Sequence, residues 1–298
     1  MTDQQNTQNY GSTQQQPASA TTTPTSTIDD SYQHHKYVSY PGYHDEEEEE
    51  ERIFSALLKE HLLATPFIFC ILFSFMLLSY AFQVKFEPVD VNQLKWKEFI
   101  LGASGWCLAF LIRKPLSIIF HRLERVGASI GPILLLFSIG LIEEVFRLGW
   151  LRHIALEYSD ESHFLAAYWL GIGWGTAEAI CFIVQNFMGV EWYRCKLYNK
   201  YTEERQEIEE ILGKPLTTIS AWWGVMWRTS WTMAHIGFSC WITWNCWLFF
   251  PAAIIHGLLD VVWGYCLPVF DIPATSYGTF IITLCTFLVG LALFGQII

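Results

Sequence analysis

Long apolar runs separated by short polar segments dominate the chain beyond about residue 60. A helix of about 20 apolar residues crosses the hydrocarbon layer of a bilayer, because each residue adds about 1.5 Å. Seven runs approach or exceed that length: Leu63–Phe82, Phe99–Phe120, Ser129–Trp150, Phe164–Phe187, Ser220–Ile242, Cys246–Leu267 and Tyr277–Ile297. The second is the weakest, since its apolar stretch ends at Arg113, Lys114 and Pro115. The pattern predicts an all-α, polytopic membrane bundle of about seven transmembrane helices within residues 52–298.

The first part of the chain has the opposite composition. Residues 1–51 are rich in Gln, Thr, Ser and Pro and end in the acidic run Asp45–Glu51. Such a segment cannot bury enough apolar surface to offset the entropy lost on ordering, which predicts a disordered cytosolic tail. The N-terminus has no basic region followed by an apolar core, so we expect no cleavable signal sequence.

Composition and charge exclude several classes of protein. The net charge is −11 and no basic stripe with interleaved aromatic residues occurs, which argues against binding to nucleic acid. The eight cysteines include no Cys-x-x-Cys pair, which argues against a disulfide framework or a structural zinc site.

The bias of Lys and Arg between loops predicts a cytosolic N-terminus and a C-terminus on the far side. The helical spacing of charges in Tyr201–Leu212 predicts a short cytosolic helix.

Charged residues inside the third predicted span need an explanation, because each costs about 2.5 kcal/mol or more at the centre of a bilayer. Glu143 and Arg147 are four residues apart and share a helix face, and Glu144 is close enough to share the same arginine. One interpretation is a neutralised pair that locks the bundle. The other is that Arg147 holds one carboxylate while the second acts as a general base. Two carboxylates for one arginine leave a net charge, which favours the second interpretation.

The fourth span combines a small-residue stripe with an acid. Gly171, Gly175 and Ala179 recur at a spacing of four, which is typical of closely packed membrane helices. Glu178 lies beside that stripe, and we expect it to support the same site as the acids of the third span.

The fifth and sixth spans each contribute one histidine. His235 lies in the fifth span, and His256 and Asp260 lie four apart on one face of the sixth, so Asp260 is predicted to orient the His256 imidazole. Counted from the span ends, Glu143 and His235 lie about 10 Å below the non-cytosolic face, and His256 and Glu178 about 15–20 Å. A common layer predicts one intramembrane site.

The chemistry that suits this site is peptide hydrolysis by an activated water. A carboxylate takes a proton from water, and one or two neutral histidines stabilise the oxyanion. A metal held by His235, His256 and a glutamate is the alternative. Because the sequence contains no His-Glu-x-x-His motif, the metal site ranks second and no cofactor is expected.

These motifs resemble a known superfamily. The Glu-Glu pair at Glu143, the aromatic-x-x-x-His motif at His235 and the His-x-x-x-Asp motif at His256 resemble type II CAAX prenyl endopeptidases and PrsW-type membrane proteases, over residues 129–297. That superfamily also includes the anterior-pharynx-defective (Aph) subunit of gamma-secretase. The resemblance implies a membrane-embedded endopeptidase. The implied catalytic set is Glu143, Glu144, Arg147, His235, His256 and Asp260.

Within the superfamily the outline is closest to the Aph subunit, which has seven spans, the Glu-Val-Phe-Arg run that begins here at Glu144, and a Gly-x-x-x-Gly stripe. Three features differ. The Aph pattern has Gln at the position of Glu143, lacks equivalents of Glu178 and Asp260, and implies the opposite orientation in the membrane. The additional acids resemble the PrsW-type set, although Arg147 stands where that set has Lys.

Three functions therefore follow as hypotheses. The first is an intramembrane protease of glutamic type that cleaves a membrane-anchored peptide or protein. The second is a non-catalytic, Aph-like scaffold that binds other transmembrane subunits through the Gly171–Gly175–Ala179 face. The third is a transporter with a proton relay, although the sequence shows no internal repeat. We expect a multi-pass protein of the endoplasmic reticulum or another endomembrane.

Overall fold

The computed structural model describes residues 43–86, 95–125, 130–156, 163–194, 206, 209–210 and 212–296, and nearly all of them are helical. Seven long helices account for most of them: α1 Tyr43–Phe86, α2 Trp96–Arg125, α3 Gly131–Ala155, α4 His163–Arg194, α5 Ala221–Trp244, α6 Phe249–Val261 and α7 Ile272–Leu293. Helix α6 continues through a π-helical turn, Val262–Cys266, and a last short helix, Leu267–Phe270. Short 3₁₀ turns, Leu216–Thr218 and Cys246–Leu248, precede α5 and α6.

Five of these helices contain a segment long and apolar enough to cross a membrane. The segments are Glu51–Phe82, Trp96–Phe120, His163–Glu191, Cys246–Tyr265 and Ile272–Leu293. Helices α3 and α5 are not among them. The apolar stretch of α3 is interrupted by Glu143, Glu144 and Arg147, and α5 is rich in Trp and hydroxyl side chains. The all-helical class is confirmed, and the five segments are consistent with a multi-pass membrane protein.

Two boundaries differ from the prediction. Helix α1 begins at Tyr43, so the acidic run Asp45–Glu51 is helical and does not belong to a disordered tail. Glutamate is a good helix former, which explains the extension. The disordered tail predicted for residues 1–42 and most of the short cytosolic helix predicted for Tyr201–Leu212 lie outside the described residues. Helix α2 continues through Pro115 to Arg125, although proline removes one backbone hydrogen bond.

Helices α2 to α6 surround a common interior. Helix α3 packs between α2 and α6, and α4 packs between α2 and α5, while α5 also contacts α6. Helix α7 also packs against α5. Aromatic contacts hold α1 to the bundle, with ring centroids 5.7 Å apart for Phe75 and Phe287 and 5.8 Å apart for Phe82 and Tyr168.

Two glycine contacts bring the charged helices close together. A Cβ atom on Gly140 of α3 would lie 2.6 Å from the backbone nitrogen of Gly257 in α6. A Cβ atom on Gly171 of α4 would lie 2.5 Å from the Cα atom of Ile236 in α5. Since real Cβ atoms do not approach backbone this closely, only glycine permits these crossings. Both crossings lie within one turn of the predicted site residues, and they place those side chains in the common interior.

Candidate functional site

Ten polar and aromatic side chains, contributed by the five helices α2 to α6, converge in the interior that these helices surround. The acids come from α3 and α4, the histidines from α5 and α6, and the arginines from α2, α3 and α5. The set is Arg113, Glu143, Glu144, Arg147, Trp174, Glu178, Arg228, His235, Ser239 and His256. The structure thus brings together five of the six residues predicted as catalytic, with Glu178 beside them.

Glu144 is fully buried and is held at both carboxylate oxygens. The Nε atom of Arg147 donates a hydrogen bond to Oε2 over 2.9 Å. The Nδ1 atom of His256 donates to Oε1 over 2.6 Å. Because an ionised carboxylate only accepts hydrogen bonds, the proton in the second contact belongs to Nδ1 of His256. Glu144 therefore fixes the orientation and the tautomer of this imidazole.

Arg147 has no exposed surface and determines the protonation state of His235. One terminal nitrogen donates to the backbone carbonyl of His235 over 3.0 Å and to Ser239 Oγ over 2.9 Å. The other lies 2.9 Å from His235 Nδ1. A guanidinium has no acceptor, so Nδ1 must accept. His235 is then neutral, with its proton on Nε2, which donates to Glu178 Oε2 over 2.6 Å.

Glu143 is 2% exposed and is held by groups that the sequence did not connect with it. Arg113 of α2 donates to Oε1, and Trp174 Nε1 donates to Oε2 over 3.0 Å. The Nε2 atom of His256 lies 3.7 Å from the same Oε2 atom, which is beyond hydrogen-bond distance. Arg113 is 33% exposed, so it is the site side chain that reaches furthest toward the surface.

Each of the three glutamates has its own arginine. Glu144 pairs with Arg147, Glu143 with Arg113, and Glu178 with Arg228, whose terminal nitrogen donates over 2.7 Å. The expectation that two carboxylates share a single arginine and leave a net charge is therefore wrong. This expectation failed because the sequence suggested that the second span ends at Arg113. In the structure α2 continues beyond Arg113 and packs against α3.

Asp260 does not have the role predicted for it. We expected it to orient His256, but Glu144 bonds to Nδ1 of that ring and Asp260 forms no hydrogen bond with it in the described structure. The Oδ2 atom of Asp260 is buried without a hydrogen-bond partner among the described residues. The carboxyl group still lies close enough to His256, Glu143 and Arg113 to interact with them electrostatically.

The small-residue stripe of α4 faces the inside of the molecule. Gly171 contacts the backbone of α5 at Ile236, and a Cβ atom on Gly175 would lie 3.0 Å from Thr232 Oγ1. Ala179 is fully buried against α1. The stripe serves helix packing within the chain, so the predicted partner-binding face is not available to another protein.

A metal ion does not suit this arrangement. Ligand atoms of Glu143, His235 and His256 lie within 4.8 Å of one another. However, both ring nitrogens of His235 are already engaged, by Arg147 and by Glu178. Two guanidinium groups also contact the same cluster, and a cation beside them would be repelled.

Sequence reasoning missed four residues of the site, and the signals differ. Arg228 lies inside a predicted span, seven residues before His235 and hence on the same face, so its charge was a usable signal. Arg113 was interpreted as the end of the apolar stretch of the second span and not as a residue of the site. Trp174 and Ser239 resemble ordinary residues of a membrane helix and gave no signal.

No family model, curated protein or solved structure matches the chain. A functional proposal must therefore rest on the chemistry of this cluster.

Proposed function

We propose that the cluster is the active site of a membrane-embedded peptidase that cleaves a membrane-anchored peptide. The observation that carries this proposal is the state of His256. Its Nδ1 atom is held by Glu144 over 2.6 Å, and its Nε2 atom points toward Glu143 without a hydrogen bond, 3.7 Å away. A carboxylate that fixes one nitrogen of an imidazole, leaving the other to accept a proton, is the arrangement that general bases use.

The hydrolytic step then balances as follows. His256 Nε2 takes a proton from water while the water oxygen forms a bond to the carbonyl carbon of the peptide. Glu144 stabilises the imidazolium that results, because it accepts the Nδ1 hydrogen bond. The imidazolium next donates the proton to the amide nitrogen as the carbon–nitrogen bond breaks. The products are a carboxylic acid and an amine.

This assignment changes the roles expected from the sequence. A glutamate was expected to be the base and the histidines to stabilise the oxyanion. In the structure the three glutamates are each bound to an arginine, and His235 uses both nitrogens. Of the two histidines in the cluster, His256 is the one with a nitrogen that makes no hydrogen bond to a described residue. The resemblance to CAAX and PrsW-type proteases is part of the proposal, and it is supported by the convergence of Glu143, Glu144 and His256.

The test uses purified protein in proteoliposomes with a library of membrane-anchored peptides, and cleavage products are identified by mass spectrometry. We expect His256→Ala and Glu144→Gln to lower the cleavage rate by about 10²–10⁴, which is the usual contribution of a general base. His153→Ala, at an exposed position near the end of α3, is the matched control and should retain the rate. Cleavage that persists in both site variants would contradict the proposal.

A non-catalytic scaffold is the second candidate, and the pairing of every glutamate with an arginine favours it. A paired and buried network of this kind fixes the positions of five helices whether or not it performs chemistry. Any partner helix must then bind elsewhere than the α4 stripe. Wild-type protein that cleaves no peptide but co-purifies with a defined transmembrane subunit would support this candidate.

The number of membrane-spanning helices is part of the same proposal. We propose that α3 and α5 also cross the bilayer, which gives seven spans, because both pack between helices that are themselves long and apolar enough to do so. Their charges then face the protein interior and avoid lipid. We keep the endoplasmic reticulum or another endomembrane as the proposed location, and a membrane-anchored peptide as the substrate.

A further inference from the structure

The ion pairs of the cluster fix the charge of every ionisable group except two, His256 and Asp260. Three arginines, Arg113, Arg147 and Arg228, each pair with one glutamate, so these six groups sum to zero. His235 is neutral because its Nδ1 accepts from Arg147. Only His256 and Asp260 remain, and they are four residues apart on one face of α6.

The pair is neutral overall only when it holds one proton beyond the Nδ1 proton of His256. That proton lies either on Nε2, which gives an imidazolium beside a carboxylate, or on the Asp260 carboxyl group. Without it the buried cluster carries a net negative charge, and with a second proton a net positive charge. Either state is costly, because an uncompensated charge in a low-dielectric interior lacks solvation.

The position of Asp260 favours the carboxyl group as the holder of the proton. Asp260 has no arginine of its own, and its Oδ2 atom is buried with no hydrogen-bond partner in the part of the chain that the structure describes. An ionised carboxylate would ordinarily have several donors at such a site. His256 already makes its one strong contact, to Glu144, through Nδ1.

Other charged and titratable groups face this pair from every helix packed against it. They are Arg113 of α2, Glu143, Glu144 and Arg147 of α3, Glu178 of α4, and Arg228 and His235 of α5. Since their charges cancel as ion pairs, the location of the last proton is decided between His256 and Asp260 themselves.

We propose that Asp260 is protonated in the resting site and is the positioning residue that keeps His256 neutral. Protonated Asp260 leaves Nε2 of His256 free to accept a proton, whereas ionised Asp260 would draw a proton onto Nε2 and block it. The kinetic consequence rests on the proposed function. The protonation state itself does not, and it is measured separately.

The first experiment uses infrared spectroscopy on the full chain in liposomes at neutral pH. We expect an absorption band from a protonated carboxyl group that shifts in D₂O and disappears in Asp260→Asn. The matched control is Glu191→Gln, at an exposed position near the end of α4, where the band should persist. Absence of the band from wild type, or its persistence in Asp260→Asn, overturns the proposal regardless of whether the protein hydrolyses peptides.

The second experiment measures the pH dependence of cleavage in wild type and Asp260→Asn. Asparagine has nearly the same shape and charge as the protonated carboxyl group, so the acid limb of Asp260→Asn should coincide with that of wild type. If Asp260 were ionised in wild type, the variant would lose an anion that stabilises protonated His256. Activity would then persist to a pH about 1–2 units lower, which is the size of the interaction between two charges about 6 Å apart, the usual separation at i and i+4, for an effective dielectric constant of about 20–40. Such a shift, in a variant that keeps its thermal stability, overturns the proposed protonation of Asp260. Wild type without activity but with the infrared band would overturn only the proposed function.

Discussion

Arg147 makes four hydrogen bonds while having no exposed surface, so its loss should destabilise the bundle. Its replacement by Met keeps an unbranched apolar side chain in the interior but removes every donor. Glu144 would then be a buried anion held only by His256. The backbone carbonyl of His235 would suffer less, because Ser239 Oγ also donates to it over 2.8 Å. The main cost is therefore the unpaired carboxylate.

The expected loss of stability follows from burying the Glu144 carboxylate without its arginine. Removing one partner of a buried ion pair typically destabilises by about 3–5 kcal/mol, and we expect Arg147→Met to fall in this range. Glu144→Gln removes the unpaired charge, so the double variant should be more stable than Arg147→Met alone. The two changes should deviate from additivity by about 1–3 kcal/mol, as expected for residues in direct contact.

The assay is equilibrium unfolding in mixed micelles of a mild detergent and dodecyl sulfate, followed by tryptophan fluorescence. Arg122→Met, at an exposed position on α2, is the control and should change the free energy of unfolding by less than about 0.5 kcal/mol. If Arg147→Met costs less than about 1 kcal/mol, or if the double variant is the sum of the single ones, the ion pair with Glu144 does not hold the bundle together.

Two further predictions concern positions outside the cluster. Gly140→Ala should destabilise the protein by about 1–3 kcal/mol, because its Cβ atom would lie 2.6 Å from the backbone of Gly257. Gly149→Ala is the control, since no atom lies within 4 Å of its Cβ position. It should be neutral or stabilising in the same unfolding assay. A hydrogen bond from Lys214 lowers the pKa of Asp271, which lies between two candidate spans. The Asp271 contribution to stability is therefore complete above the ordinary pKa of about 4 and is lost as the pH falls through the lowered value. Asp271→Asn should show a smaller loss of stability on acidification, and equal losses in the two proteins would contradict the contact with Lys214.

The sequence predicted the helices well because their signal is local. Apolar runs, helix length and the cost of buried charge identified the regions of seven helices, and Glu143, Glu144 and Arg147 were conspicuous as charges within an apolar run. Helix α2 was the exception in part. Its extension beyond Pro115 depends on contacts with α3 and α4 that no local pattern reveals.

The partners within the site could not be predicted, because they depend on how the helices are arranged around the interior. Spacing along α3 suggested that Glu143 and Arg147 share a face and pair. In the structure Arg147 turns to Glu144 and toward α5, and Glu143 is held by Arg113 from α2. Similarly, spacing along α6 suggested that Asp260 orients His256, but α3 provides a nearer carboxylate. Helical spacing shows which residues are able to meet, and tertiary packing decides which of them do.

The two histidines show why equivalent positions in the sequence do not imply equivalent chemistry. His235 lies between a guanidinium, which only donates, and a carboxylate, which only accepts, so both of its nitrogens are committed and its ring is neutral. His256 has a carboxylate on one nitrogen alone. Replacement of His235 therefore removes a link between α3, α4 and α5, whereas replacement of His256 removes the nitrogen that we propose as the proton acceptor. A site built only to hold helices together would engage both rings fully, and the asymmetry between them is the physical reason to favour catalysis over a purely structural network.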